Sequence, residues 1–142
     1  MTTAPGYSGT PLPQKLGLKD DQRALFLALP ENLAELKTSR AFAEVRDAGW
    51  DSWRGTTGWD FVHGFTASRM VLAENARPLM QAIDRNGIIW ISWPKKASKV
   101  PTDITEDVIR EVVLPIGLVD IKVAAVSDVW SGLKLMIRKE LR

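Results

Sequence analysis

Cysteine is absent from the 142-residue sequence, which excludes disulfides, thiolate metal sites and cysteine nucleophiles. Histidine is nearly absent. His63 stands alone, so no pair of imidazoles can ligate a metal. Long apolar runs are missing as well: the longest, such as Ala24 to Leu29, fall far short of the ~20 residues a membrane helix needs. No glycine-lysine-serine loop of the kind that cradles nucleoside triphosphates occurs. Charge of one sign is not in large excess either. The 19 basic and 17 acidic residues leave a formal net charge of +2, without the concentrated basic footprint of a dedicated nucleic-acid binder. Met1 to Thr10 has neither a basic start nor an apolar core. No secretory leader is therefore expected, and a cytoplasmic location is the natural expectation.

What is present is ordinary for a globular chain, with 45% apolar and 25% charged residues. The length suits one domain able to bury roughly 70% of the surface of its unfolded chain. Residues 1–22 read as an N-terminal arm. Gly6, Gly9, Pro11, Pro13 and Gly17 punctuate it, Leu12, Leu16 and Leu18 are its apolar anchors, and Thr10-Pro11 suits the start of a short helical turn. Residues 23–142 read as a single α/β domain. Its first strand is the apolar run Ala24 to Leu29, stopped by Pro30 and of a length that suits burial on both faces. Glu31 to Lys37 is helical in composition, residues 41–47 suit a weak second strand, and Gly49 to Gly58 is a loop carrying Trp50 and Trp53.

The second half is more strongly patterned. Trp59 to Phe65 reads as a strand. Ser68 to Ile83 reads as a helix with Leu72, Ala76, Leu79, Met80 and Ile83 on one face, kinked or restarted at Pro78. Asn86-Gly87 is expected to turn the chain into a strand over Ile88 to Trp93. After a polar loop, Asp103 and Glu106 have the spacing of a capping box. Ile104, Val108, Ile109, Val112, Val113 and Ile116 then form the apolar stripe of a helix ending at Gly117. Leu118 to Val126 and Leu133 to Lys139 read as two strands whose connection, Ser127 to Gly132, is short enough to require antiparallel pairing.

This order implies a Rossmann-like three-layer α/β sandwich, a mostly parallel sheet closed by a C-terminal antiparallel hairpin. Over residues 20–140 it resembles the fold of S-adenosylmethionine-dependent methyltransferases. That resemblance implies a glycine-rich turn after the first strand, where backbone amides and a helix start approach the cofactor. Here the turn is Ala28-Leu29-Pro30-Glu31-Asn32-Leu33, without a glycine and with a proline that removes a donor. The acidic residue implied at the end of the second strand falls on Asp47 or Asp51, each of which also reads as a solvated loop carboxylate. No cofactor is therefore expected: neither S-adenosylmethionine in the standard mode nor a nicotinamide dinucleotide suits this turn.

A second resemblance lies in the wording. Tyr7-Ser8-Gly9-Thr10-Pro11-Leu12, Ile91-Ser92-Trp93-Pro94-Lys95-Lys96-Ala97-Ser98-Lys99, Thr105-Glu106-Asp107-Val108-Ile109-Arg110-Glu111 and Val129-Trp130-Ser131-Gly132-Leu133-Lys134 resemble the bacterial domain-of-unknown-function family 3052. The segments span nearly the whole chain apart from about residues 30–58. The family brings no activity with it.

Ligands of open α/β sheets bind beyond the carboxyl ends of the parallel strands. That edge gathers Pro30 to Asn32, His63 to Ser68, and Trp93 to Lys99. Trp93, Lys95, Lys96, Ser98 and Lys99, with His63 nearby, suit an anion such as a phosphate or carboxylate; the same lysines also suit an exposed loop that guards a buried strand from aggregation. A histidine late in a strand reads first as a packed, hydrogen-bonded residue. Asp60 is three residues away and faces the opposite side, so it is a poor orienting acid. Ser68 and Ser92 have no partner base at a recognisable spacing, so no catalytic residue is assigned. Of the six tryptophans, Trp59, Trp90 and Trp93 read as core. Trp130, in the hairpin loop, reads either as an interface anchor, with Trp50 and Trp53, or as a side chain folded back over the core.

The sequence thus points to a non-catalytic binding or regulatory module that takes an anionic small molecule or a protein partner. Two alternatives stand beside it. One is a small enzyme using Lys95 or Lys96 with His63 on an anionic substrate; the other is a weak nucleic-acid-binding protein using Lys95, Lys96, Lys99 and the basic C-terminus.

Overall fold

Five runs rich in aromatic, leucine and β-branched residues, with one polar run at the edge, pair into one sheet. The computed structural model describes residues 9–142. Residues 1–8, which include Tyr7 and Ser8 and most of the stretch read for a leader, lie outside it. The strands are β1 (Arg23–Leu27), β2 (Glu44–Ala48), β3 (Trp59–Phe65), β4 (Ile83–Pro94), β5 (Leu118–Ala125) and β6 (Trp130–Ile137). Their spatial order is β2-β1-β3-β4-β6-β5. The first four run parallel, and β6 enters antiparallel between β4 and β5. The expected mostly parallel sheet with a terminal hairpin is the architecture found.

Alternation along the strands sends side chains to two cores. On one face Leu25, Leu27, Val62, Ile89, Ile91 and Leu135 meet the apolar sides of α2 (Arg69–Ala82) and α3 (Glu106–Val113). On the other, Ala24, Phe26, Phe61, Phe65 and Trp90 are covered by a thinner layer, α1 (Leu12–Leu16) and a 3-10 helix over Glu31–Thr38. Leu16 and Leu18, two of the anchors read in the N-terminal segment, are fully enclosed here. Trp90 Nε1 donates to the Leu16 carbonyl at 2.8 Å, which ties that segment to the middle of the sheet.

Several local expectations need correction. Asn86-Gly87 does not start β4. The strand already begins at Ile83, and its pairing jumps from Trp59–Ile83 to Phe61–Ile88. Asp84 to Gly87 form the irregularity, and a Cβ at Gly87 would stand 2.9 Å from the Trp59 carbonyl oxygen. Glycine marks a bulge there instead of a turn.

Asp103 does not cap α3. Thr105 does, its hydroxyl accepting from Val108 N. Thr102 donates to the Ala67 carbonyl and holds this segment beside α2, so the Asp103 carboxylate accepts instead from Arg69 N at the first turn of α2, at 2.7 Å. Of the expected stripe, Ile104, Ile109 and Val113 are buried, whereas Val108, Val112 and Ile116 are only half-buried.

α2 continues through Pro78 to Ala82. The proline leaves the Glu74 carbonyl without its usual amide, and Arg54 Nη2 supplies the missing donor at 2.9 Å.

Candidate functional site

β1 leaves the sheet toward the 3-10 helix on one face, while β3 leaves toward α2 on the other. The two are neighbours, so a crevice opens beyond their carboxyl ends, the place where open α/β sheets take ligands. Leu27 at the end of β1 stands in register with Gly64 on one side and Ala48 on the other. The chain turns out at Ala28 with φ +54°, and the Ala28 amide donates to the Ala48 carbonyl. This left-handed position is held by alanine, not by the glycine that such a φ favours.

The crevice is filled from the side of β2. Gly49 and Trp50 follow that strand, and the Trp50 indole packs against Gly64: a Cβ there would stand 2.5 Å from its Cη2. Trp50 Nε1 donates to the Phe65 carbonyl at 2.8 Å. Trp53 is fully buried beside α2, with Nε1 donating to Asn75 Oδ1 at 2.9 Å, and Asn75 in turn donates to the Val71 carbonyl. Both tryptophans of the loop thus fold back over the core. Asp47, within β2, pairs with Lys37 at 2.8 Å, and Asp51 is exposed.

A second feature is an open groove of about 730 Å³ between the exit of β4 and the amino end of α3. Trp93, Lys96 and Lys99 line it together with Thr102, Thr105 and Glu106. Asp107 also borders it, but Arg110 binds both acids, Glu106 at 2.9 Å and Asp107 at 3.1 Å, and reaches Asp120 as well. Hydrogen bonds to these carboxylates raise the Arg110 pKa. Lys96 and Lys99 form no ion pair among the described residues.

Three residues read with that loop lie elsewhere. Ser98 closes the loop itself, donating to the Lys95 carbonyl at 2.6 Å and accepting from Val100 N. Lys95 does not line the groove. His63 faces the opposite core, between Phe65 (rings stacked at 4.2 Å), Phe61 and Trp90.

His63 has a partner that local spacing did not reveal. Parallel pairing sets β3 beside β4, and His63 Nε2 meets Ser92 Oγ at 2.7 Å. The two are 29 positions apart. Both are fully buried, and burial pushes the histidine pKa down to about 3, so the imidazole is neutral. Nδ1 has no hydrogen-bond partner among the described residues. Asp60 is engaged elsewhere, accepting from Arg23 N. A serine and a histidine in contact are therefore present, but no acid orients the ring and no solvent reaches it.

Trp130 does not sit in a loop. It opens β6, opposite Pro94, and packs edge to face on Phe65 at 5.3 Å between centroids. Among the described residues, no group of three acidic or histidine side chains is placed to hold a metal, and no helix is long and apolar enough to cross a membrane.

No family model matches the chain, and no curated protein matches it. Solved structures match in fold. A S-adenosylmethionine-dependent methyltransferase from Aquifex aeolicus superposes with a TM-score of 0.67 at 14% identity, covering 87% of this chain and 86% of that one. A methyltransferase of the same class from Clostridium acetobutylicum gives a TM-score of 0.62 at 10% identity, covering 87% and 86%. The [4+2]-cyclase SpnF gives 0.64 at 8% identity, covering 89% and 79%. At these identities the likeness establishes a methyltransferase-like Rossmann fold. A cyclase among the matches illustrates that the fold hosts more than one chemistry.

Proposed function

We propose that this chain is a non-catalytic binding module on a methyltransferase-like fold, and that it takes a small anionic ligand in the groove formed by Trp93, Lys96 and Lys99. The observation that carries the first part is the seat of Trp50 over Gly64. Methyltransferases of this fold hold their cofactor at the crevice between the corresponding strands, using backbone amides of a glycine turn. Here that crevice receives an indole, and the turn beside it is Ala28-Leu29-Pro30. These residues do not fit S-adenosylmethionine held in the standard mode. Nothing in the chemistry of the His63–Ser92 pair replaces it, because both side chains are enclosed.

The second part rests on the groove. Two lysines without ion pairs among the described residues face a tryptophan, the Thr105 hydroxyl and the amino end of α3. Arg110 pairs with the two acids at its border and offsets part of their charge. A monophosphate or carboxylate suits that set of donors. The four segments that resemble family 3052 support placing the chain in that bacterial family, and the absence of cysteine agrees with a cytoplasmic location.

A melting experiment tests both parts, since a ligand that binds only the native state must raise its apparent stability. S-adenosylmethionine and S-adenosylhomocysteine at millimolar concentration should leave the Tm unmoved, whereas inorganic phosphate should raise it, and less so in Lys96→Ala/Lys99→Ala. A cofactor-dependent rise of several degrees overturns the first part. A phosphate effect unchanged in the double variant overturns the second.

A further inference from the structure

We propose that the face of the β5–β6 hairpin beside α1 binds the phosphate backbone of a single-stranded nucleic acid, through Lys15, Lys19, Lys95, Lys122 and Lys134, with Trp130 as a stacking edge. This site lies on the opposite side of the sheet from the Trp93 groove and uses none of its residues.

The argument starts from strand register. Lys122 and Lys134 stand directly opposite each other in the antiparallel pair of β5 and β6. Like charges in that position repel and weaken a hairpin. Lys134 alternates with Leu133 and Leu135, which enter the α2–α3 core, so it projects to the α1 side together with Gly132 and Trp130. Three more lysines gather at that surface. Lys15, on α1, reaches the Ala125 carbonyl at the end of β5 with its ammonium at 3.2 Å. Burial and then the charges of Lys95 and Lys122 lower the Lys15 pKa. Burial, then Lys122 and Lys19, lowers that of Lys134. Five cations from three elements and two connecting segments are thus close enough to act on one another.

Among the described residues, carboxylates do not balance four of them. Lys19, Lys95, Lys122 and Lys134 take no part in the ion pairs of the described residues, which draw their cations from Arg23, Lys37, Arg69, Arg110 and Arg138. Asp120, on β5, is held by Arg110 on the far side of the hairpin, and Asp20 accepts from the Ala41 amide. The near-neutral total charge of the chain therefore conceals a local excess. A cluster that costs the fold stability is explained if a polyanion offsets the repulsion.

Trp130 indicates which polyanion. It lies on the same face two positions before Gly132, half-buried, with Lys95 next to its strand partner Pro94. Cations tracking a backbone beside an aromatic platform are how single strands are held without sequence preference.

The test is fluorescence anisotropy of the full chain with a labelled oligothymidylate of about 20 nucleotides, across a salt series. Binding should weaken with salt along a log–log slope of about −2 to −3.5, as three to five phosphate contacts at ~0.7 each require. Lys122→Gln/Lys134→Gln should lower affinity by about tenfold or more while leaving the Tm unchanged or higher, because it also removes a repulsion. Lys96→Ala/Lys99→Ala should bind as the parent does. Absence of binding at low salt overturns the proposal, and so does affinity that survives the Lys122/Lys134 change. Tighter binding of a duplex of the same length, or binding of inorganic tripolyphosphate without the oligonucleotide, also overturns it.

Discussion

The Trp50 indole occupies the space in which a side chain at position 64 would stand, with 2.5 Å separating its Cη2 from the Cβ that Gly64 lacks. The hydrogen bond from its Nε1 to the Phe65 carbonyl holds the ring in that place. One missing side chain and one large one therefore decide what the crevice between β1 and β3 can receive.

Gly64→Ala should expel the indole or strain the strand, since a contact that short must be relieved. Overpacking of this kind costs about 2 kcal/mol, a Tm drop of roughly 5–10 °C for a domain of this size. Trp50→Ala combined with Gly64→Ala should recover part of that loss, because the clash is gone. A double-mutant cycle by thermal melting checks the coupling, and strictly additive effects would show that the ring yields freely.

His63 makes stability depend on pH in one direction. Its folded-state pKa, about 3, lies below the ordinary value of 6.5. The unfolded state therefore binds the proton first, and stability present above pH 6.5 is lost as pH falls toward 3. Relative to pH 7, the native state should be about 2 kcal/mol less stable at pH 5 on this account. Denaturant melts of the parent and His63→Phe at the two pH values measure it. Equal pH dependence in both proteins would exclude His63 as the source.

Trp90→Phe should test how firmly the N-terminal segment belongs to the core. It leaves the buried Leu16 carbonyl without its donor, a loss of about 1–3 kcal/mol. Hydrogen exchange should show the amides of Leu16 and Leu18 opening before those of β3 and β4. Uniform loss of protection would instead mean that α1 and the sheet unfold as one unit.

Much of the architecture was legible because it is written locally. The aromatic and apolar run Trp59 to Phe65 has the boundaries expected of it, and α2, capped by Ser68, lies within one residue of the expected span at each end. The short connection after β5 allowed only an antiparallel return. Errors fell where one local signal serves two structures. Asn86-Gly87 suits a turn and a bulge equally, and Asp103 had the spacing for one helix but was close enough in space to cap another.

The candidate site was legible only in part, for a different reason. Trp93, Lys96 and Lys99 were read together because they are neighbours in sequence, and they share a groove. Ser92 had no visible base because its histidine lies on another strand. Trp50 reads from the sequence as a loop residue and, with Trp130, as an interface anchor, and no local pattern singles out Lys122.

By itself the sequence determined which segments are strands and helices, that the sheet ends in a hairpin, and that the turn after β1 lacks glycine. These follow from periodicity, chain length and side-chain size, which are properties of contiguous residues. Only the tertiary structure decided that an indole closes the crevice, that His63 meets Ser92, and that Lys122 faces Lys134. Each depends on strand register or on where a loop lies, and register is set by the packing of the whole sheet.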